Sequence, residues 1–520
     1  MYTTSSTELP SLRELSSIAA ENNPNGDAFA DGVDGKRVTW AEFDADSNRA
    51  ANALKENVDV GDRVVFACEA SVDHVTMWNG ALKAGCVVSN LHVRSSPQMM
   101  RNCIDRLSPR VLVLDPEFSV FFEERVRDGL TTDLDAVITT GEPQTEYEAT
   151  VDETLRDQPT SEPDIPLQED DVVAVLWTSG TTGEPKGWCL TSRAAIVRGV
   201  KLMGALNISR TTRRVQVLSP SFAAWFTGTV PAMLTNSATC FLRSWDPEEY
   251  LEAIEEREQT MATLVPTMWR ELLEIEGFDA YDLSSLRRIT AAGERLDTTT
   301  LRRLQEHVCD RVYNAFAATE IMATSISDIE MDEGRVGSVG KPAVGTRLRI
   351  VDEGGSPDDV KPAGDVGEII IKGPDRPVWA WGDTETTEEA FTDGWWYSGD
   401  LGYKDEDGYV YLEGRSDFMI LSKGIKVYPV PVEERLNAHP SVEESAVIGV
   451  EDDEYGEKVV AVVQSGDPDL TAADLDEWCL ESDELARFER PREYHIISDG
   501  LPRTATNKLD RSSVEQRFTT

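Results

Sequence analysis

A buried strand that runs into a loop of glycine and hydroxyl residues is the feature that most limits what this chain can fold into. The apolar run Val172–Trp177 is followed by Thr178, Ser179, Gly180, Thr181, Thr182, Gly183, Glu184, Pro185 and Lys186. Glycines let backbone N–H groups turn inward and hydroxyls add donors, so the loop predicts a concave nest for phosphate oxygens. It is not a Walker A loop, because two residues separate Gly183 from Lys186.

The first third of the chain alternates between helical and strand-like stretches. Strands are predicted at Arg63–Ala67 and Val111–Leu114, and helices at 41–55 and 74–83. This alternation is typical of a wound α/β sheet. Residues 141–168 are polar and contain proline, so we expect a linking loop there.

From about residue 345 the pattern becomes strand-rich, and it changes again after residue 417. We expect strands at 348–351, 368–372, 445–450 and 458–463, and a helix at 433–438. The predicted fold class is α/β, with a large multi-layer N-terminal domain that includes a β-rich subdomain and a small mobile α+β C-terminal domain. The expected boundaries are 1–414 for the first domain, 415–417 for a hinge and 418–520 for the second domain.

The charge balance indicates the setting in which the protein works. The 520 residues include 95 acidic and 50 basic ones, for a net charge of −45 at pH 7, and only 13 are lysine. The acids are spread along the chain, which is typical of a protein kept soluble at high salt, where a Debye length of roughly 3 Å at about 1 M screens self-repulsion. We interpret the chain as a cytoplasmic protein of a halophile, with a merely acidic protein as the alternative. The charge argues against nucleic acid or an anionic membrane as a partner.

Cysteine and histidine patterns exclude several kinds of site. The seven cysteines form no CxxC pair, which argues against a zinc site or a disulfide framework. None of the five histidines has a partner at metal or triad spacing, so we do not expect histidine-based catalysis. Apolar runs are too short for a membrane span, and the first residues lack the pattern of a secretory signal. A homodimer is left open.

Four further segments, together with the loop at 177–187, resemble the adenylate-forming superfamily of acyl-CoA synthetases, luciferases and peptide-synthetase adenylation domains. They are Val312–Glu320 (VYNAFAATE), Trp396–Gly402 (WYSGDLG), Gly414–Asp417 (GRSD) and Leu501–Arg511 (LPRTATNKLDR). In order, they are similar to the YGxTE, W[YF]xTGD, GRxD and PxxxxGK motifs of that family. The resemblance extends from about residue 12 to the end, and it implies an enzyme that joins a small-molecule carboxylic acid to AMP from ATP and passes the acyl group to a thiol.

The resemblance implies which residues bind the nucleoside. Asn314 and the Gly293-Glu294 turn would line the adenine, and Phe316 would stack on it. Asp400 would accept hydrogen bonds from both ribose hydroxyls, which suits a carboxylate because it only accepts.

The same resemblance implies which residues carry the chemistry. The segment Thr178–Lys186 would hold the β- and γ-phosphates, Thr319 would contact the α-phosphate, and Glu320 would ligate Mg²⁺. Arg415 would reach the ribose and the phosphate, and Lys508 would bridge the substrate carboxylate and the α-phosphate. A carboxylate is already a nucleophile, so the barrier lies in charge building up at phosphorus, which Mg²⁺, lysine and backbone donors stabilise.

The acyl pocket is expected to be roomy. Ala317 stands where acetate-specific relatives carry Trp, and the neighbouring Ala292 is also small. The segment 218–226 lacks the histidine common in the family, which leaves Phe222 or Trp225 as candidates for an aromatic gate. We therefore expect a medium-chain, branched or aromatic acid rather than acetate.

The thiol acceptor is expected to be coenzyme A. In the resembling ligases, rotation about the hinge residue, here Asp417, brings a glycine-bearing segment to the thiol tunnel, and Gly424 matches that glycine. Lys423 and Lys426 are candidates to meet coenzyme A phosphates. A stand-alone enzyme that loads a carrier-protein thiol is the alternative. A non-catalytic nucleotide-binding protein is a third hypothesis, which Lys508, Glu320 and Asp400 argue against.

Overall fold

Four β-sheets with helices packed between and around them make up the molecule. The computed structural model describes residues 10–166, 168–179, 185–293, 296–322, 324–328, 335, 337–452, 454–482, 485–503 and 509–518. Strands are numbered β1–β26 and α-helices α1–α15 in chain order. In the described part of the chain, no helix has the length and apolar character needed to span a membrane.

The first sheet has seven strands in the order β7-β6-β5-β3-β4-β8-β9. All neighbouring pairs are parallel except β8 with β9, which form an antiparallel hairpin. The strands are β3 (Arg63–Ala67), β4 (Val87–Asn90), β5 (Val111–Leu114), β6 (Ala136–Thr139), β7 (Glu148–Thr150), β8 (Val172–Ser179) and β9 (Pro185–Thr191). The strands predicted at Arg63–Ala67 and Val111–Leu114 are confirmed to the residue, because apart from Arg63 at the start of β3 both are apolar runs buried on both faces.

The second sheet has nine strands in the order β16-β15-β14-β13-β12-β10-β11-β1-β2. Its six central strands, from β14 to β1, are parallel, and the strands at both edges are antiparallel. The strands are β1 (Asp27–Asp31), β2 (Arg37–Thr39), β10 (Arg213–Gln216), β11 (Ala238–Phe241), β12 (Met261–Leu264), β13 (Arg288–Ala292), β14 (Val312–Phe316), β15 (Ser325–Asp328) and β16 (Lys341–Pro342).

Most helices belong to the crossovers of these two sheets. They are α1 (Leu15–Asn22), α2 (Trp40–Leu54), α3 (Val72–Lys83), α4 (Pro97–Leu107), α5 (Pro116–Arg125), α6 (Val151–Leu155), α7 (Ser192–Ala205), α8 (Ala223–Thr235), α9 (Pro247–Glu256), α10 (Pro266–Leu273) and α11 (Thr298–His307). Local capping explains where several begin: Thr39 and Glu42 form a reciprocal capping box at α2, and Ser71 caps α3. The predicted helices at 41–55 and 74–83 are confirmed as α2 and α3.

The loop expected at 141–168 is wrong in part, because it contains β7 and α6. Glu148 of β7 is buried, and its carboxylate accepts hydrogen bonds from Ser119 Oγ at 2.7 Å and from the Gln144 N–H at 2.7 Å. These contacts satisfy a polar residue inside the fold, so the polar composition of the segment did not prevent regular structure.

Two smaller antiparallel-rich sheets follow. The third sheet contains β17 (Arg347–Val351), β18 (Gly367–Lys372), β19 (Phe391–Thr392), β20 (Trp395–Lys404) and β21 (Val410–Arg415), with α12 (Thr384–Ala390) beside it. The fourth contains β22 (Ile420–Ser422), β23 (Ile425–Val427), β24 (Glu444–Asp452), β25 (Gly456–Gln464) and β26 (Glu493–Ile497), with α13 (Pro429–Asn437), α14 (Ala472–Leu480) and α15 (Arg511–Phe518). Buried apolar residues drawn from 420–518 alone form the core of the fourth sheet, so this part is a separate small domain.

Candidate active site

Three parallel strands of the second sheet end at one edge, and several predicted site residues gather there. β12, β13 and β14 are neighbours, so their carboxyl ends lie side by side. Gly293 follows β13 with a φ of 92°, a conformation that favours glycine. Asn314 and Phe316 lie on β14, and Nδ2 of the buried Asn314 donates to the Ser338 carbonyl at 3.3 Å. Three of the four residues predicted to line adenine thus share this edge, and Glu294 lies outside the described residues.

Both ends of the predicted phosphate loop are held together by the β8–β9 hairpin. Thr178 is opposite Lys186, and Ser179 is opposite Pro185. The side chain of Ser179 lies outside the described part of the chain, as do Gly180, Thr181, Thr182 and Gly183. The hairpin therefore returns the chain to the position from which the loop departs, as a nest for an anion requires.

One hydrogen bond joins this hairpin to the segment after β14. Nε1 of Trp188 on β9 donates to Oε1 of Glu320 at 2.8 Å, and Trp188 is 1% exposed. Burial raises the pKa of Glu320, while the Trp188 hydrogen bond and the charges of Arg198 and Lys186 oppose that rise. The carboxylate predicted to ligate Mg²⁺ therefore lies within electrostatic reach of the lysine predicted to hold phosphates.

The backbone that carries Thr319 and Glu320 is anchored by Arg198 of α7. Nη2 of Arg198 donates to the Thr319 carbonyl at 2.8 Å and more weakly to the Glu320 carbonyl at 3.4 Å. Nε of the same guanidinium donates to the Asp375 carbonyl at 3.0 Å, and the Arg198 side chain is fully buried. The position of two predicted catalytic residues thus depends on a buried arginine.

A buried ion pair completes this anchor. Nζ of Lys201, one turn along α7, lies 2.8 Å from Oδ1 of Asp375 and donates to the Met322 carbonyl at 2.9 Å. Oδ2 of Asp375 accepts from the Met322 N–H at 3.1 Å. The sequence analysis missed Arg198, Lys201 and Asp375. A sequence pattern could have indicated two of them. Arg198 and Lys201 are basic residues one turn apart on a helix of mainly small and apolar residues, in a chain that has few lysines.

The predicted ribose-binding residues form a cluster at the end of the third sheet. Asp400 on β20 is paired in register with Arg415 on β21, and Oδ1 of Asp400 lies 3.6 Å from Nη1 of Arg415. Nη2 of Arg415 lies 3.1 Å from Oδ2 of Asp417. The structure thus brings together the predicted ribose carboxylate, the predicted phosphate arginine and the predicted hinge residue.

The segment that carries Lys508 lies outside the described residues, but its two flanks are placed. Arg503 and Leu509 pair as a β-bridge. Nη1 of Arg503 donates to Oγ1 of Thr267 at 3.3 Å, and Thr267 is at the start of α10, directly after β12. Arg503 also pairs with Glu444, which lies 3.3 Å from Arg270 of α10. These contacts place Arg503 beside the start of α10, at the carboxyl edge of the second sheet.

The residues predicted for the acyl pocket fall into two groups. Ala292 ends β13 and Ala317 follows β14, so both lie at the same edge as Asn314. Phe222 precedes α8 and packs edge-on against His92, with ring centroids 5.9 Å apart. Trp225 is instead 0% exposed and packs in the core against other aromatic rings, among them His74 and Trp78. Because α8 turns the Trp225 side chain into the core, Phe222 is the better placed of the two gate candidates.

The hairpin predicted to line the thiol tunnel is solvent-exposed. Gly424 at its tip has a φ of 79°, and nothing lies within 4 Å of the place a Cβ would occupy. Nζ of Lys423 lies 2.7 Å from Glu454, and Nζ of Lys426 lies 2.8 Å from Glu353 of the large domain. Both lysines are therefore engaged with carboxylates in this arrangement, and Lys426 makes a contact between the two domains.

A cavity of about 460 Å³ lies away from this edge. Its lining includes Arg287 and Arg311, which precede β13 and β14 and so belong to the opposite, amino-terminal edge of the second sheet. None of the predicted site residues lines it. In parallel α/β sheets ligands bind outside the carboxyl ends of the strands, so we place the site at the other edge.

Two family models match the chain. The model of the AMP-binding enzyme family matches residues 17–376, and that of the AMP-binding enzyme C-terminal domain matches residues 431–508. The two matches fall on the large domain and on the separate fourth-sheet domain.

Similar proteins cover nearly the whole chain. A 3-hydroxybenzoate–CoA ligase of Aromatoleum sp. (strain CIB) is 30% identical over 484 residues, which span 92% of this chain and 91% of that protein. A feruloyl-CoA synthase of Amycolatopsis sp. is 30% identical over 503 residues, which span 96% of this chain and 97% of that protein. Among solved structures, the anthranilate CoA ligase AuaEII in complex with anthranoyl-AMP aligns with a TM-score of 0.90 at 24% identity and covers 99% of both chains, which shows a shared fold.

Proposed function

Because this chain belongs to the AMP-binding enzyme family, we propose that it is an AMP-forming ligase that joins aromatic acids to coenzyme A. The observation that carries the proposal is the hydrogen bond from Trp188 to Glu320, which unites the phosphate-loop hairpin with the predicted metal carboxylate. The similarity to two coenzyme A ligases for aromatic acids supports the acid class. It also favours coenzyme A over a carrier-protein thiol.

The proposed first half-reaction is attack of the substrate carboxylate on the α-phosphorus of ATP. An oxygen–phosphorus bond forms to give acyl-AMP, and pyrophosphate leaves with the electron pair of the broken bond. Thr178 and Lys186 hold the β- and γ-phosphates, and Thr319 donates to the α-phosphate. Lys508 stabilises the charge that develops between the carboxylate and the phosphate.

Mg²⁺ is the ion that the family implies for this step. It is bound in such sites by one or two carboxylates together with substrate phosphate oxygens and water. Glu320 offers one half-buried carboxylate beside the phosphate-loop hairpin, so the residues present fit that mode. Mg²⁺ bound there would neutralise phosphate charge.

In the proposed second half-reaction, the sulfur of coenzyme A bonds to the acyl carbon and the thiol proton passes to solvent. The carbon–oxygen bond to AMP breaks, and AMP leaves with its electron pair. Lys508 and its segment would occupy part of the approach to this carbonyl, so the C-terminal domain rotates about Asp417 between the steps. The rotation breaks domain contacts such as Lys426–Glu353 and brings Gly424 toward the pocket. A glycine suits a narrow thiol path, because it has no side chain.

The proposed function is tested by a panel of acids in molar KCl. Benzoates, cinnamates, hexanoate and acetate are each supplied with ATP and Mg²⁺, and release of pyrophosphate and AMP is measured with and without coenzyme A. We expect the highest kcat/KM with an aromatic acid, and AMP release that requires coenzyme A. The proposal is overturned if acetate is the best acid, or if a holo carrier protein replaces coenzyme A as the better acceptor.

The setting is proposed to be the cytoplasm of a halophile. The support is the net charge of −45 together with the small number of lysines. Light scattering across the same salt range measures the oligomeric state, for which a homodimer is the proposal to be tested.

A further inference from the structure

A buried arginine of the second sheet lacks a counter-ion, and it lies below the carboxyl edge that carries Ala292 and Ala317 (the acyl-pocket edge). Arg214 on β10 is 6% exposed, and its Nη1 donates to the Gly228 carbonyl of α8 at 2.7 Å. Its Nε has no hydrogen-bond partner among the described residues. Burial lowers the pKa of Arg214, and the charged group that acts most strongly on it is a second buried arginine, Arg288, whose positive charge lowers that pKa further. No carboxylate of the described chain pairs with Arg214. Burying an unpaired charge costs free energy. The chain has 95 acidic residues that could have supplied a partner, so a buried arginine without one calls for an explanation.

Two more unpartnered polar groups lie one layer closer to the pocket edge. The Nε2 of Gln216 and the Oγ1 of Thr290 are buried without a hydrogen-bond partner in the described structure, and their residues are 5% and 2% exposed. Val215 pairs with Ala262, and Thr263 pairs with Thr290, so Gln216 and Thr290 stand at one level on the same sheet face. Thr263 of β12 stands between them on the same face, and the Cα atoms of Gln216 and Thr290 are about 10 Å apart across it, so the three side chains form one polar row.

This sheet face is the one that α8 covers. A Cβ on Gly228 of α8 would lie 2.7 Å from Nη1 of Arg214 and 3.0 Å from Oε1 of Gln216, so the helix passes directly over both. Ala292 is two residues beyond Thr290 on β13, hence on the same face and about 7 Å nearer the edge. An aromatic ring that enters beside Ala292 and Ala317 would therefore point its far end at Gln216 and Thr290, with Arg214 one layer deeper.

We propose that the acid taken by this enzyme carries a hydrogen-bond acceptor at the end opposite its reacting carboxylate, and that Gln216 and Thr290 bind this acceptor, with Arg214 reached by longer acids. The inference rests on the proposed aromatic-acid ligase function and deepens it. All three side chains offer donors, so a hydroxyl or carboxylate oxygen is the complementary group. A methyl group of similar size would leave the donors buried and unsatisfied.

The test compares acids that differ only at the far end. Benzoates and cinnamates with a 4-methyl, 4-hydroxyl or 4-carboxylate group are assayed by acid-dependent exchange of pyrophosphate into ATP, in molar KCl. We expect the hydroxyl or carboxylate acid to exceed the methyl acid in kcat/KM by at least ~10-fold. A lower kcat/KM for both acceptor acids than for the methyl acid overturns the inference.

Near-isosteric variants identify the residues. Gln216→Leu and Thr290→Val should bring the ratio of acceptor to methyl acids down to about 1, mainly by lowering the rate with the acceptor acid. Thr346→Val is the matched control, because the Thr346 hydroxyl is also buried without a partner in the described residues, but Thr346 directly precedes β17 in the third sheet. Equal ratios in wild type and both pocket variants, in proteins of unchanged melting temperature, would show that these residues do not recognise the acid.

Arg214→Met separates an anionic from a neutral acceptor. With the 4-carboxyl cinnamate, loss of at least ~10-fold in kcat/KM, and little loss with the 4-methyl cinnamate, supports a role for Arg214. An unchanged preference overturns that role. Absence of exchange with every aromatic acid would defeat the proposed function itself, whereas good exchange without any acceptor preference defeats only the present inference.

Discussion

At the residue scale, Lys508 and Gly424 are proposed to serve different half-reactions. Lys508→Ala should lower acyl-AMP formation by at least ~100-fold, because the lysine charge acts mainly in the transition state, and should leave conversion of supplied acyl-AMP and coenzyme A nearly intact. Gly424→Leu should do the reverse, by narrowing the thiol path. Single-turnover kinetics on each half-reaction measures both, and each variant is the control for the other. Equal loss in both halves for Lys508→Ala, in a folded protein, would mean that the domain alternation does not operate.

A second residue-scale prediction concerns the size of the pocket. Ala317 and Ala292 lie at the edge of the second sheet, and small side chains there leave space for a ring. Ala317→Trp should move the preference toward short acids, with at least ~10-fold loss for benzoates, because an added ring overpacks the pocket. Competition between benzoate and propionate in one assay gives the ratio directly. An unchanged ratio would place the acyl group elsewhere.

At the scale of elements, α7 sets the position of the segment that follows β14. Arg198→Lys keeps the charge but cannot make all of the bonds that the guanidinium makes to the carbonyls of Thr319 and Asp375. A displacement of the Thr319–Glu320 backbone should lower the rate of ATP–pyrophosphate exchange by about 10- to 100-fold. Arg213→Lys is the matched control, because Arg213 is exposed and pairs with Glu258 at the surface. Exchange at the wild-type rate in Arg198→Lys would show that the backbone is held by other contacts.

At the scale of the whole molecule, the net charge of −45 predicts a requirement for salt. Between about 0.1 M and about 1 M KCl the Debye length falls from about 10 Å to about 3 Å, so repulsion among surface carboxylates is screened and the folded state gains stability. We expect the melting temperature and the activity to rise together over this range. Sucrose at equal osmolality is the control, because it favours the compact state without screening charge. Full activity and stability near 0.1 M KCl would contradict the halophile interpretation.

Local pattern was enough to predict much of the fold. After Arg63, β3 is a continuous apolar run, and so is β5, while α2 has both a capping pair and an amphipathic face. Their residues therefore specify these elements without help from distant parts of the chain. The segment 141–168 misled the prediction, since Glu148 is stabilised by Ser119, on α5, which no local window contains. The order of motifs likewise indicated the family and a list of site residues.

What the amino-acid sequence determined by itself was therefore several of the helices and strands, the family and the residues that follow its motifs. Tertiary structure alone decided that Trp225 lies in the core, that Trp188 donates to Glu320, and that Arg198 anchors Thr319. It also decided that Gln216 and Thr290 share a face beneath α8, because β12 lies between their strands in the sheet. The physical reason is the separation of the interacting residues along the chain. A motif specifies residues that are neighbours in sequence, whereas these buried contacts join residues far apart in it. Trp188 and Glu320, for example, are more than a hundred residues apart, and only the packed chain brings them together.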